Sequence, residues 1–445
     1  MNQAAPQADG SDLRTAGPAP GPADWKRNLV ALWVAEFFAI FGFSFAFPFM
    51  PLFLHQDLGV QSQSQLAFWT GLCSGVSGVS MAVASPIWGV LADRYGKKQM
   101  LLRAMISGAV SVLLIGLCHA AWQLAVLRFF QGATSGTVAA ATALAAAETP
   151  RRKVAWALGA LSSAIALGGA IGPMVGGLLS ALFGLRLVFV CGAILLLLGA
   201  LPVLFVVHES PGVRRAGPRA GAIASLRGAG RATLIALSVL VGGQCLMQWS
   251  YVSTQQMVAL RVLRLDPAAA NLVTGLAFGL AGLATALASA GYARLARRIG
   301  YRTFAALSAL LFAVVIAAGA VVSSVFLIVA VVVVVGFLYG CISPVLSSLI
   351  GLQTPREVQA TVYGISASAI AIGLAIGPMM AGTLAAARGP SAALVLAAAV
   401  ALALSLLLAM GAREPVAAGT TSTAPEPAAS GASSTAPETA RQNAG

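Results

Sequence analysis

The chain alternates long apolar stretches with short polar breaks, and the stretch lengths predict helices that cross a membrane. Each stretch holds about 20 residues or more with few charges, which is the length a helix needs to span a bilayer. We expect twelve such spans, numbered in chain order: 28–53, 68–91, 99–119, 122–146, 154–182, 186–207, 233–260, 271–293, 303–321, 325–350, 360–387 and 391–411. The predicted fold class is therefore an all-α membrane protein.

Three segments outside this pattern divide the chain. Residues 208–232 are basic and rich in glycine and proline, and they separate six spans from six. Residues 1–24 and 412–445 lack the apolar content to fold, so both are expected to be disordered cytoplasmic tails. The remaining chain forms an N-terminal six-helix half over 25–207 and a C-terminal six-helix half over 233–411, joined by a cytoplasmic loop.

Composition and charge placement agree with lipid as the solvent. The 445 residues are 58% hydrophobic and 9% charged, whereas a soluble domain carries about 25% charged residues. Twenty-one lysines and arginines fall on the side that holds both termini and four on the other, which predicts cytoplasmic termini. This asymmetry explains the net charge of +14 without a nucleic-acid partner. The five cysteines and three histidines form no cluster, so no metal site is indicated.

The two halves repeat one another at a constant spacing of 205 residues. The matched segments are Thr149-Pro150-Arg151 with Thr354-Pro355-Arg356, Ser163-Ala164-Ile165-Ala166 with Ser368-Ala369-Ile370-Ala371, and Gly172-Pro173-Met174 with Gly377-Pro378-Met379. Gly132 and Gly136 match Gly336 and Gly340 at a spacing of 204. Two parallel halves that face one another create a cleft near the membrane midplane, which can open to either side in turn.

Three motifs carry a resemblance to a known family. The loop after span 2, Gly89-Val90-Leu91-Ala92-Asp93-Arg94-Tyr95-Gly96-Lys97-Lys98, is similar to the G-x-x-x-D-R-x-G-[RK]-[RK] signature of the major facilitator superfamily. In span 4, Leu124, Arg128, Gln131 and Gly132 resemble the L-x-x-x-R-x-x-Q-G motif of its proton-coupled members. In span 5, Gly168, Gly172, Pro173, Gly176 and Gly177 resemble the motif of its drug:proton antiporters.

This resemblance implies a fold and a function. The fold is two six-helix halves, so the repeat belongs to the resemblance and is not independent of it. The function is secondary transport of a small molecule by alternating access, with the proton gradient as the energy source and no cofactor. The twelve-span antiporter branch implies multidrug efflux across the bacterial inner membrane, and we expect the protein to be a monomer.

Each motif also has a physical reading. Gly96 permits a tight turn, and Asp93 stands at a helix end, where it can meet an arginine or the N-terminus of a facing helix and act as a conformational latch. The matching position in the second half is Arg297, so the latch is expected to be one-sided. The glycines of span 5 form a groove for close packing and Pro173 allows a bend; ordinary small-residue packing is the alternative.

Glu36 is the one acidic residue inside the predicted spans, and it is the candidate proton carrier. It lies nine residues beyond Arg27, about 13–14 Å deep at 1.5 Å per residue. Arg128 is the one basic residue well inside a span, and its long side chain can approach Glu36. We expect this pair to form the proton-coupling unit. The alternatives are an arginine that extends to the membrane surface, and a glutamate that packs or anchors a cationic substrate.

The cleft is expected to be lined by spans 1, 4, 7 and 10, as the resemblance implies. The polar and aromatic candidates on these spans are Phe37, Phe41, Gln131, Gln244, Gln248, Tyr251, Gln255, Tyr339 and Ser343. Amides and rings with one carboxylate suit bulky amphipathic solutes, including cationic ones. A selective metabolite or sugar transporter of the same fold is the alternative, and a channel or receptor is disfavoured by the repeat. The sequence has no cluster of acids, histidines or cysteines and no phosphate-binding loop. An enzyme is therefore not indicated.

Overall fold

The structure, a computed structural model, describes residues 24–209, 231–354 and 359–411. Within these ranges the regular structure is helical, and eleven helices are long and apolar enough to cross a membrane. The predictions for both tails, for most of the central loop and for Arg356 lie outside the described residues. The all-α membrane fold is confirmed: the eleven long helices correspond to eleven of the expected spans, and the remaining one, span 4, is formed by two shorter helices.

The first half holds the helices of spans 1–6. Their bounds are Asp24–Ala46 continued by Met50–Gln56 for span 1, Gln63–Tyr95 for span 2, Lys97–Leu117 for span 3, Ala121–Thr134 and Thr137–Glu148 for span 4, Val154–Phe183 for span 5, and Leu185–Phe205 for span 6. A single 3-10 turn, Phe47–Phe49, joins the two helices of span 1, and another covers Arg151–Lys153.

The second half holds spans 7–12. Their bounds are Arg231–Leu265, Ala270–Ile299, Tyr301–Val321, Val325–Gln353, Gln359–Arg388 and Pro390–Gly411. Several helices extend past the predicted spans, because polar residues at the helix ends stay helical after the apolar stretch has stopped.

Matching glycine turns connect neighbouring spans in the two halves. Gly96 and Gly300 have φ +103° and +90°, and Gly184 and Gly389 have φ +85° and +87°; this backbone region favours glycine. We call the end of the bundle at Gly96 and Gly300 the basic face, because Lys97, Lys98, Arg297 and Arg298 flank these turns. The end at Gly184 and Gly389 is called the opposite face.

Span 4 is broken in the middle, so the continuous helix expected over 122–146 is wrong. The two helices meet at Ser135 and Gly136, and Gly136 has φ +126°. The break leaves carbonyl groups without helical partners, and two side chains donate to them: Trp88 Nε1 to Ala133 O at 2.6 Å and Arg103 Nη2 to Ser135 O at 3.2 Å. The guanidinium carbon of Arg103, one of the basic residues counted on the side of the termini, lies 3.4 Å from the centroid of the Trp88 ring.

The two halves are joined by spans 2 with 11 and spans 5 with 8. Near the opposite face these contacts are very close: a Cβ on Gly71 would lie 2.8 Å from Gly382 Cα, and one on Gly177 would lie 2.7 Å from Gly275 Cα. Near the basic face the same four spans carry glycines whose Cβ would have nothing within 4 Å: Gly89, Gly159, Gly291 and Gly364. The halves are therefore closed together at the opposite face and apart at the basic face.

Candidate transport cavity

A cavity of about 400 Å³ lies between the two halves. Its walls come from spans 1, 2, 4 and 5 of the first half and spans 7, 8 and 11 of the second. The polar lining consists of Arg128 with neutral groups that can donate or accept hydrogen bonds: Ser44, Thr70, Ser74, Ser77, Tyr251, Gln255 and Gln256. The apolar lining includes aromatic rings and methionines, namely Phe43, Phe47, Met50, Met81 and Phe278. Such a mixed lining is typical of small-molecule sites.

Tyr251 and Gln255 are the predicted cleft residues that line this cavity. They lie one turn apart on span 7, and Gln255 Nε2 donates to the Tyr251 hydroxyl at 2.9 Å. The Tyr251 ring stacks on the Tyr339 ring of span 10 with centroids 3.9 Å apart. The Tyr339 hydroxyl donates to Gln248 Oε1 at 3.0 Å. Tyr339 and Gln248 thus support the wall from behind and do not form its surface.

The other predicted cleft residues lie outside the cavity lining. Phe37 and Phe41 of span 1 stack on each other, with centroids 5.6 Å apart, and flank Gly168 of span 5. Gln131 is buried and accepts a hydrogen bond from Arg128. Gln244 Nε2 donates to Ser347 Oγ at 3.5 Å. Ser343 is half-buried on span 10. The aromatic face of span 1 that was expected in the cleft is therefore a packing face.

Two groups of residues that line the cavity were not predicted from the sequence. Phe43 and Phe47 form a second aromatic stripe on span 1, on a different side of the helix from Phe37 and Phe41. On span 2, Thr70, Ser74 and Ser77 follow the i, i+4, i+7 spacing of one helix face, which was the available signal. Gln256 Nε2 donates to Ser74 Oγ across the two halves.

Arg128 supplies the one charged group among the described residues that line the cavity. Its Nη1 donates to Gln131 Oε1, and its guanidinium carbon lies 4.6 Å from the centroid of the Phe47 ring. The buried Nε has no hydrogen-bond partner within the described chain. The cavity therefore has a positive charge, and the expectation of a cleft with a lone carboxylate is wrong for this conformation.

Glu36 lies inside the first half and not on the cavity wall. Its side chain is fully buried, and neither carboxylate oxygen has a hydrogen-bond partner among the described residues. Span 1 packs here against spans 5 and 6 and against the basic-face helix of span 4. The predicted approach of Arg128 to Glu36 is not seen in this conformation: no ion pair joins them, because Arg128 belongs to the opposite-face helix of span 4 and binds Gln131.

The latch motif surrounds the turn between spans 2 and 3. Gly96 is buried in this turn, Gly89 faces open space, and Arg94 is exposed with its guanidinium 5.5 Å from the Tyr95 ring. The backbone amides of Lys97 and Lys98 donate to the two oxygens of Glu209 at 2.9 and 3.0 Å. The side chain of Asp93 lies outside the described residues, so its predicted partner is not described.

The glycines of the span 5 motif bring two different helices close. Cβ atoms on Gly168, Gly172 and Gly176 would collide with the backbone or the Cβ of span 1 residues, whereas one on Gly177 would collide with span 8 of the other half. The buried Pro173 carries a carbonyl that lies 2.5 Å from the Cβ position of Gly275. The motif thus seals span 5 against both span 1 and the facing half.

The fold and the cavity are those of a membrane transporter built from two facing six-helix halves. The family model of the Major Facilitator Superfamily matches residues 32–268 and 245–438. The chain belongs to this superfamily and is a multi-pass inner-membrane secondary transporter, not an enzyme.

Curated relatives and solved structures agree with this assignment. The multidrug resistance protein MdtG of Citrobacter koseri is 31% identical over 373 residues, and MdtG of Salmonella dublin is 30% identical over 374 residues. Each alignment covers 83% of this chain and 91% of the relative. The crystal structure of the nucleoside transporter NupG has a TM-score of 0.71 at 11% identity and covers 85% of this chain and 98% of that one, which shows a shared fold.

Proposed function

We propose that this protein exports amphipathic drug-like compounds from the bacterial cell in exchange for protons. The basic face is cytoplasmic, as are both termini. The conformation described here receives substrate from the cytoplasm, because the halves are apart at that face and closed at the other. The observation that carries the proposal is the cavity between the halves, lined by rings, amides and hydroxyls. The similarity to multidrug resistance proteins supports the choice of substrate.

The cavity chemistry narrows the class of compound. Arg128 has no described acidic neighbour in the lining, so an amphipath with a carboxylate or another acidic group gains a charge-assisted hydrogen bond there. Neutral amphipaths use Tyr251, Gln255 and the serines of span 2. A selective transporter of one acidic metabolite remains the second candidate, because the same arginine and amides suit it. Growth of an efflux-deficient host with a panel of toxic compounds separates them: protection against unrelated amphipaths supports export of many drugs.

Glu36 is the proposed proton carrier. A charged carboxylate without partners is very costly in an apolar interior, so we propose that Glu36 holds a proton in this conformation. Rocking of the halves then exposes it to one side and lets it lose the proton. Arg128 communicates with it through span 1, since Arg128 lies over Phe47 and Glu36 is three turns earlier in that span. The energy source is the proton gradient.

Everted vesicles test this role of Glu36. Glu36→Gln mimics the protonated state, so uphill transport driven by a proton gradient should be lost while exchange of labelled for unlabelled substrate persists. Asp266→Asn, which neutralises a carboxylate at the opposite face, should keep both activities. Gradient-driven transport by Glu36→Gln at the native rate would overturn the proposed role. Measurement of substrate binding to purified Glu36→Gln separates a folded, uncoupled protein from a misfolded one.

A further inference from the structure

A second cavity opens on the outer surface of the bundle, between span 1 and span 6 at the basic face. It measures about 400 Å³, and we call it the span 1–6 groove. Its walls are apolar side chains of the two helices, and two cations stand at its mouth: Val30, Ala31, Val34, Pro202 and Val206 with Lys26 and Arg27. The groove is separate from the transport cavity, with which it shares no lining residue.

The order of these residues along span 1 matches the depth profile of a bilayer. Lys26 and Arg27 are exposed in the first turns, and Val34 lies seven residues beyond Arg27, about 10 Å deeper at 1.5 Å per residue. The charges thus stand at headgroup level, and the apolar walls run into the hydrocarbon. An acyl chain fits this direction, with the headgroup at the mouth.

The charges at the mouth are not neutralised by described acidic side chains. Glu209, the acid at the end of span 6, is engaged by the backbone amides of Lys97 and Lys98. The Lys26 ammonium lies 5.8 Å from the centroid of the Trp25 ring, a weak contact that leaves its charge available.

Aromatic rings and a polar clasp fix the mouth in place. Trp25 packs edge-on against Trp156, with centroids 6.4 Å apart, and tryptophan favours the headgroup level of membranes. The Asn28 side chain and the His208 backbone exchange two hydrogen bonds of 2.8 and 3.0 Å, which tie the ends of spans 1 and 6 together. Both walls also belong to the first half, so the shape of the groove does not depend on whether the two halves are open or closed.

We infer that the span 1–6 groove is a binding site for an anionic phospholipid. Its phosphate is held by Lys26 and Arg27, and one acyl chain lies along Val30 and Val34. Basic residues above a gap between membrane helices favour anionic headgroups electrostatically. The groove adds an apolar contact for an acyl chain to these two charges, and this contact makes the site selective for a lipid over a free phosphate.

Native mass spectrometry of the full chain in detergent tests the site with phosphatidylglycerol as the probe. The native protein should retain phosphatidylglycerol in preference to phosphatidylcholine. Lys26→Gln/Arg27→Gln should weaken retention roughly tenfold or more, because two charges near the headgroup are lost. Val34→Trp, which keeps both charges but fills the groove, should weaken it as well. Melting temperature without added lipid, unchanged in both variants, shows that they are folded.

The matched control is Arg297→Gln/Arg298→Gln, which removes two exposed charges from the same face. It should keep phosphatidylglycerol binding within about twofold of the native protein. An equal loss in this control would show general surface attraction and overturn the inference. Native-like binding by Val34→Trp would overturn it too, as would glycerol phosphate that competes as strongly as the intact phospholipid.

Discussion

Arg128 determines the charge of the transport cavity, because no described acidic side chain stands beside it. A buried guanidinium keeps its charge in proteins, and its planar donors suit carboxylates and phosphonates. Gln131 occupies one donor, and the Phe47 ring covers part of one face of the group. Arg128 lines the cavity, so its positive charge is presented to a bound substrate. When a substrate places an anionic group beside Arg128, the resulting ion pair offsets the free-energy cost of burying the guanidinium charge.

We therefore expect Arg128→Gln to discriminate between substrates. Affinity for a carboxylate-bearing amphipath should fall by roughly tenfold to a hundredfold, since a hydrogen bond to a charged group contributes about 1.5–3 kcal/mol. Affinity for the neutral amide of the same compound should stay within about threefold. Arg128→Lys retains the charge, so its affinity for the carboxylate-bearing compound should lie between those of the native protein and Arg128→Gln. Titration of the purified variants with both ligands measures the difference, and equal losses for acid and amide would contradict the prediction.

The depth of a residue along its span could be predicted from the sequence. The side of the helix on which its side chain meets a neighbour could not. Counting from Arg27 placed Glu36 deep in the bundle, and it is fully buried. The rotation of each helix about its own axis depends on its neighbours, which a single sequence does not provide. For this reason Phe37 was expected in the cleft although Phe43 lines it, and Arg128 was expected beside Glu36 although it binds Gln131.

At the scale of an element, the broken span 4 shows what an internal repeat does not reveal. Gly136 and Gly340 occupy matching positions, yet Gly136 has φ +126° while span 10 continues as a helix through Gly340. The groups that surround Gly136 and Gly340 differ. Arg103 supplies a guanidinium to the free carbonyl of Ser135, whereas Gly340 packs against the backbone of Thr285. The repeat could therefore predict that the two six-helix halves correspond, but not this local break.

Gly136→Ala should destabilise the protein through the backbone of this break. A side chain at φ +126° is strained by about 1–3 kcal/mol, so the melting temperature in detergent should fall by several degrees. Gly242→Ala is the matched control, because Gly242 is helical and its Cβ would have nothing within 4 Å. The control should be neutral or slightly stabilising. A native melting temperature for Gly136→Ala would show that the break is not a fixed feature of the fold.

At the scale of the whole molecule, the internal repeat gives two equivalent contacts between the halves. We call each contact between a helix of one half and a helix of the other a seam. The span 2–11 seam contains Gly71 against Gly382, and the span 5–8 seam contains Gly177 against Gly275. Each pairs a glycine of one half with a glycine of the other at matching positions. Because no side chain separates the backbones, a single methyl group acts as a wedge at this point. The glycines at the basic-face ends of the same spans have no such neighbours, so the closed seam is confined to the opposite face.

Gly275→Ala should shift the protein toward a state that is open at the opposite face. The added methyl group would lie 2.7 Å from Gly177 Cα, where backbone cannot move aside as a flexible side chain can. Overpacking costs about 1–3 kcal/mol, which changes the ratio of two conformations by roughly 5- to 150-fold. Spin labels at Leu182 and Leu272, in a chain freed of its five cysteines, report the distance across the seam. Gly291→Ala on the same span meets open space and should keep the native distance distribution. A short distance retained in Gly275→Ala, or an equal lengthening in Gly291→Ala, would show that the glycine contact does not hold the opposite face closed.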